Sequence, residues 1–196
     1  MFDLACFSND QVYSWQPSFD RNNLSRWINR GLLIRLRQGC FTFPEYKGKP
    51  DYARYFANRI YRPSYISLHS ALSFHGIIPE SVIQITSVTS LKTAYFVNSF
   101  GEYSYKTIRK ELMFGYVLKP MSDGRALQIA DPEKALSDLL YLYPEYITAQ
   151  DMLDLRLDEE YLQNDMKKNL LRDYISRFKS KTLEKRVNQL FIAYGL

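Results

Sequence analysis

Histidine and cysteine are almost missing from this chain: two of each in 196 residues. His69 and His75 are six positions apart, so they do not share a helix face as paired zinc ligands would. Cys6 and Cys40 have no motif spacing, which removes the C-x-x-C class of metal and redox sites. Free thiols are expected, with a Cys6–Cys40 bridge as the alternative. No apolar run approaches the roughly 18–20 residues that a membrane span requires. The stretch Met1-Phe2-Asp3-Leu4-Ala5-Cys6 lacks the basic start and long apolar core of a signal peptide, so a soluble, cytoplasmic protein is expected. Also absent are G-x-S-x-G, a P-loop, a dinucleotide glycine fingerprint and H-E-x-x-H. These absences argue against the common enzyme classes and imply no cofactor and no metal. No internal repeat or low-complexity run is visible.

What is present is basic charge, and it is unevenly placed. Residues 1–62 hold ten Lys/Arg against five Asp/Glu, a net of +5, while residues 63–196 hold sixteen of each. Residues 20–39 alone carry five arginines and one acid. Positive charge focused on one small segment is the footprint of a protein that meets nucleic-acid phosphates. The remainder splits again. Residues 63–165 carry eight bases and fourteen acids, and residues 166–196 carry eight bases and two acids. The basic tail, from Lys167 and Lys168 through Arg172, Arg177, Lys179 and Lys181 to Lys185 and Arg186, is read as packing on the acidic middle and facing solvent; DNA or an acidic partner are alternatives.

The N-terminal segment reads as a winged helix-turn-helix. Ser8 and Gln11 fit a capping box, so a short helix starts near Asn9 and runs toward Trp15. Pro17-Ser18 breaks it, and a second helix starts at Ser18 or Asp20 and stops at Gly31. Leu24, Trp27 and Ile28 share one face of that helix. The opposite face carries Asn22, Ser25, Arg26 and Asn29, flanked by Arg21 and Arg30. Asn and Arg are the side chains that bond bidentately to adenine and guanine edges in the major groove. A solvated polar face is the alternative. Beyond it, alternation places Ile34 and Leu36 on one side of a strand and Leu33, Arg35 and Arg37 on the other. Gln38-Gly39 make a turn, Phe41 and Phe43 return on the apolar side, and Pro44 ends the hairpin. Arg35, Arg37 and the Gln38-Gly39 amides are then the expected phosphate contacts.

The predicted organisation is α+β: a winged helix-turn-helix over residues 1–46, a linker and basic helix over 47–62, and a mixed α/β domain with a helical C-terminus over 63–196. Lys47-Gly48-Lys49-Pro50 is the linker. A helix opens at Asp51, and Arg54 and Arg59 extend the basic surface, Arg59 more simply as a solvated residue. A helix over 67–75 is closed by Gly76, with His75 at its C-terminus; strands are expected over 82–88, 93–98, 101–106, 113–119 and 125–129. Asp131-Pro132-Glu133 starts a helix with Pro in its first turn, and everything after Thr148 looks helical. Asp151, Asp154 and Asp158 are read as a solvated acidic face rather than a metal site.

Three motifs carry a resemblance. Residues 29–41, Asn-Arg-Gly-Leu-Leu-Ile-Arg-Leu-Arg-Gln-Gly-Cys-Phe, resemble the wing segment of the AbiEi family, the antitoxins of type IV toxin–antitoxin and abortive-infection systems. Residues 65–77, with Ser67, Ser70-Ala71-Leu72 and His75-Gly76, and residues 129–141, with Glu133-Lys134-Ala135 and Asp138, are similar to two later helices of that family, in the family's order. The match covers about residues 5–145. The resemblance implies a DNA-binding autorepressor acting on inverted repeats in double-stranded promoter DNA. It also implies a C-terminal domain that counters a neighbouring nucleotidyltransferase toxin without forming a stable complex with it. The Asn-rich second helix changes any inherited operator, and the helices after Thr148 match no family motif. The toxin's own Gly-Ser and paired-Asp signature is absent, so this chain is not read as the nucleotidyltransferase. The competing expectation is an enzyme of unrecognised type carrying a winged-helix module, with Asp131, Glu133 and Asp138 as its acids.

Overall fold

The computed structural model describes residues 4–196; Met1, Phe2 and Asp3, which begin the N-terminal stretch read above, lie outside the described residues. The architecture is α+β. Its first part contains strand β1 (Cys6–Ser8), helices α1 (Asn9–Trp15) and α2 (Asn22–Asn29), and strands β2 (Ile34–Arg37) and β3 (Cys40–Thr42). The strands form an antiparallel sheet in the order β1-β3-β2.

Local chemistry explains the helices. The expected capping box closes α1: the Gln11 amide donates to Ser8 Oγ at 3.3 Å, and the Ser8 amide donates to Gln11 Oε1 at 2.8 Å. Helix α2 begins at Asn22, later than expected from Ser18 or Asp20. Asp20 still acts there, because its carboxylate accepts from the Asn22 amide at 2.9 Å. At the other end Gly31 adopts φ +73. Its amide reaches the Ile28 carbonyl, and the Leu32 amide reaches that of Trp27, both at 2.9 Å, which is the Schellman pattern that terminates a helix at glycine.

A small core lies under α2. Leu24, Leu33 and Phe41 are buried together, with Phe7, Phe19 and Ile28 at its edge. Trp27, expected on the apolar stripe, is 37% exposed and rests on the Phe19 ring instead. The hairpin departs from simple alternation. Ile34 opposes Thr42 and Arg35 opposes Phe41, but the next pair is Arg37 with Cys40. One extra residue is accommodated between Arg35 and Arg37, the signature of a β-bulge. Phe41 therefore lies on the Arg35 side rather than with Leu36, and Leu36 is buried in the main core.

The main core is built on six further strands: β4 (Ser64–Ile66), β5 (Ile85–Thr89), β6 (Ala94–Asn98), β7 (Gly101–Thr107), β8 (Tyr116–Pro120) and β9 (Ala126–Ala130). Their order is β6-β7-β5-β4-β9-β8, with β4–β9 and β5–β7 parallel and the other pairs antiparallel. The expected strands over 82–88 and 113–119 start about three residues later, the second because the Met113 and Phe114 amides close back onto the 3-10 turn at Lys110–Leu112. Helix α3 (Tyr52–Ile60) packs on one face: Tyr105 donates to the Ala57 carbonyl, and Asn58 exchanges two hydrogen bonds with Gln128 of β9. Between β4 and β5 runs α4 (Leu68–Phe74), whose C-cap is His75. The other face is covered by α5 (Pro132–Leu142), tied to β4 by Tyr65 donating to Asp138. Asp131 caps α5 through the Lys134 amide at 2.8 Å, with Pro132 in its first turn. After α6 (Ala149–Asp154), helices α7 (Lys168–Phe178) and α8 (Lys181–Tyr194) pack outside α5. One contiguous core runs from Leu36, Cys40 and Tyr46 through α3 into the sheet. No helix among the described residues is long and apolar enough to cross a membrane.

Candidate nucleic-acid interface

Helix α2 and the hairpin meet at a cleft of about 310 Å³ lined by Asn9, Arg21, Leu24, Ser25, Arg35, Gln38, Gly39 and Phe41. Its floor is the edge of the small core, Leu24 and Phe41, and its walls are polar. Arg21 stands at the N-cap of α2, and Arg35 comes from β2. Four of the residues expected from the sequence to contact DNA, Arg21, Ser25, Arg35 and Gln38, thus surround one concave surface. All four are exposed.

Asn22, Arg26, Asn29 and Arg30 are exposed along the outer surface of the same helix. Arg26 donates to Asn23 Oδ1 at 3.2 Å, which steadies its guanidinium along the helix. No ion pair among the described residues engages Arg21, Arg30 or Arg35, so these charges face solvent uncompensated.

Arg37 is placed differently from Arg35. The bulge turns it toward the body of the protein, where its guanidinium lies 5.8 Å from the Phe96 ring centroid and 5.9 Å from that of Tyr61. Beside it, the Asn98 side chain donates to the Leu36 carbonyl at 2.9 Å, fastening the hairpin to the end of β6. The expectation that Arg35 and Arg37 share one outer edge fails here, because alternation holds only while each strand residue has one partner.

Asn9 is a cleft residue that sequence reasoning missed. Its amide donates to the Gly39 carbonyl at 2.9 Å, and its side-chain Oδ1 is buried without a partner among the described residues. Only its place just after the Ser8 cap was legible; its approach to the turn is a tertiary fact.

The remaining basic residues of the first 62 are largely engaged. Lys49 lies over the Tyr46 ring at 4.8 Å, Arg59 lies over that of Tyr55 at 4.7 Å, and Arg54 pairs with Asp51 at 3.0 Å. In the tail, Arg186 donates to the Leu140 and Pro144 carbonyls, and Arg177 pairs with Asp173 at 3.1 Å.

The acids of the Asp131–Asp138 segment have internal partners. Tyr174 donates to Asp131 at 2.7 Å, while Tyr161 and the Lys167 amide donate to Glu133 at 3.0 and 2.8 Å. Asp138 and Lys134 form a fully buried ion pair one helical turn apart, and Ser67 and Tyr65 donate to the same carboxylate. Burial pushes the Asp138 carboxyl above and the Lys134 ammonium below their ordinary values, while the pairing of the two opposes both shifts. Among the described residues no three His, Cys, Asp or Glu side chains gather as metal ligands. Asp151, Asp154 and Asp158 instead accept local hydrogen bonds from the Thr148 amide, Gln150 and the Tyr161 amide. No protein-family model matches the chain, and no curated protein sequence matches it.

Proposed function

We propose that the protein is a DNA-binding transcriptional autorepressor and antitoxin of a type IV toxin–antitoxin, abortive-infection system, with residues 1–46 acting as a winged helix-turn-helix. The observation that carries the DNA reading is the cluster of uncompensated guanidiniums around α2 and its cleft, Arg21, Arg30 and Arg35, with Asn22, Ser25, Arg26 and Asn29 exposed beside them. In this reading α2 enters the major groove, where Asn22, Arg26 and Asn29 bond base edges. Arg21, Arg30, Arg35 and the Gln38 turn hold phosphates. Arg37, also exposed, has its guanidinium 5.8 Å from the Phe96 and 5.9 Å from the Tyr61 ring centroid, and in this reading it adds mainly long-range attraction.

The antitoxin part rests on the AbiEi-like segments at residues 65–77 and 129–141. Both belong to the buried frame of the larger unit: Ser67, Asp138 and Lys134 meet there. The functional partner in this reading is a nucleotidyltransferase toxin encoded next door, countered by a non-enzymatic protein without a lasting complex.

The experiment is paired. Arg26→Ala and Asn22→Ala should each weaken binding to the DNA upstream of the gene by about 1–3 kcal/mol. The same folded variants should lose promoter repression and still rescue cells that express the neighbouring toxin. Unchanged affinity for both variants with an intact circular dichroism spectrum rejects α2 as the reading helix. Loss of rescue together with loss of repression rejects the separation of the two activities.

A further inference from the structure

Three elements of the first part of the chain close one concavity. The first turn of α1 supplies Asn9, α2 supplies Arg21 at its N-cap and Ser25 one turn further, and the hairpin supplies Arg35 and Gln38. The hairpin turn is pinned to α1, because the Asn9 amide donates to the Gly39 carbonyl at 2.9 Å. Gly39 holds φ +75, and a methyl group there would stand 3.4 Å from Asn9 Nδ2. Turn and helix thus meet closely, and the cleft is shaped before any ligand arrives. None of the residues that line it is acidic.

Size argues against a bare phosphate as its occupant. The cleft measures about 310 Å³, at the small end of the roughly 300–1,000 Å³ typical of small-molecule sites. At roughly 30 Å³ per liquid water that is room for about ten waters, several times what one tetrahedral oxyanion fills. A duplex is too wide to enter a cleft of this volume, so its phosphates reach only the rim. Chemistry narrows the occupant further. Arg21 and Arg35 are exposed, and neither has an ion-pair partner among the described residues. Two free guanidiniums in one acid-free concavity select a phosphate monoester, which each can hold through paired N–H donors. Beside them Asn9, Gln38 and Ser25 both donate and accept, as the edge of a nucleobase does. The floor of Leu24 and Phe41 is apolar, and a flat ring can lie against it.

We propose that this cleft binds a free nucleoside 5′-monophosphate, with its phosphate on Arg21 and Arg35 and its base over the Leu24–Phe41 floor. A consequence for regulation rests on the DNA-binding reading above. Duplex phosphates use the same two guanidiniums, so nucleotide and DNA exclude each other. The nucleotide is then a small-molecule effector that releases the protein from its operator.

The test is isothermal titration of the full chain, without DNA, against the adenosine, guanosine, cytidine and uridine 5′-monophosphates, their parent nucleosides and inorganic phosphate. At least one monophosphate should bind once per chain, at least about tenfold tighter than its nucleoside and than inorganic phosphate. Arg21→Gln and Arg35→Gln should each weaken it about tenfold, with folding checked by circular dichroism. Arg26→Ala, outside the cleft, should leave nucleotide affinity unchanged while weakening DNA. Anisotropy on a promoter duplex measures the competition. Saturating nucleotide should raise the apparent Kd for DNA at least about tenfold beyond the effect of sodium chloride at equal ionic strength. No binding of any monophosphate, equally tight inorganic phosphate, or undiminished binding in folded Arg35→Gln overturns the cleft assignment, whatever the duplex does. Duplex affinity unmoved by saturating nucleotide overturns the exclusion. Nucleotide binding by a chain that binds no duplex upholds the cleft and rejects the DNA reading instead.

Discussion

Two arginines two positions apart in one strand should behave as different kinds of residue. Arg35 stands at the cleft without an ion-pair partner among the described residues, whereas Arg37 is turned by the bulge onto Phe96 and Tyr61. If Arg35 neutralises one phosphate, Arg35→Ala reduces the slope of log affinity against log salt by about 0.9. A fourfold rise in salt then changes the ratio of wild-type to variant affinity by about 3.5-fold, because the released counterion is lost from only one of them. Specific and non-specific DNA should be affected alike. Arg37→Ala should leave that slope alone and act on stability instead. Its two ring distances, 5.8 and 5.9 Å, lie near the outer limit of useful cation–π contact. Each is therefore worth about 0.5 kcal/mol, and the variant loses about 1 kcal/mol. The hydrogen bond from Asn98 to the Leu36 carbonyl remains to hold the hairpin in place. Anisotropy titrations over a salt series measure the first quantity, and urea unfolding measures the second. Equal slope changes in the two variants, or an unchanged slope in Arg35→Ala, would refute the division of roles derived from the bulge.

Gly115→Ala should destabilise the protein by about 2–4 kcal/mol in urea unfolding. Residue 115 sits at φ +68, and a methyl group there would meet the buried Lys134 side chain at 2.9–3.1 Å; a loss below about 0.5 kcal/mol would show that the Lys134 pocket relaxes freely. His69 gives a pH signature. Burial lowers its pKa from 6.5, only partly opposed by Glu145 and Glu80, so below 6.5 the unfolded chain binds a proton that the folded one resists. That contribution is fully present above 6.5 and is lost as pH falls toward the folded value. His69→Gln should flatten the drop in stability between about pH 7.5 and about pH 5.5 relative to wild type, and an unchanged drop would assign it to other groups.

Much of the fold was legible where a structural signal is local. The Ser8–Gln11 box, the Asp131-Pro132 start and the glycine stop at Gly31 each place a donor and an acceptor within a few residues, so the spacing alone specifies them. The exposed face of α2 was legible for the same reason, since 3.6-residue periodicity separates Leu24 from Asn22, Ser25, Arg26 and Asn29. Trp27 was misjudged because periodicity reports direction, not depth, and the small core ends before reaching it. The strands at 85–89 and 116–120 were found with displaced starts, since apolar residues just before them serve loops and a 3-10 turn.

The sequence by itself determined the α+β class, the helix ends that carry a local cap, at Ser8, Gly31 and Asp131, and the basic first third of the chain, because caps, periodicity and charge act over a turn or two. Tertiary structure decided the rest. It placed Arg21, Ser25, Arg35, Gln38 and the unforeseen Asn9 around one cleft. It set the Arg37 guanidinium beside Phe96 and Tyr61 through a single extra residue, buried the Lys134–Asp138 pair beneath the Tyr65 and Ser67 hydroxyls, and put Cys6 and Cys40 on one face of the small sheet. Each of these depends on strand register or on packing between distant segments. The energy that selects a register is spread over the whole buried face, so no short stretch of sequence contains it.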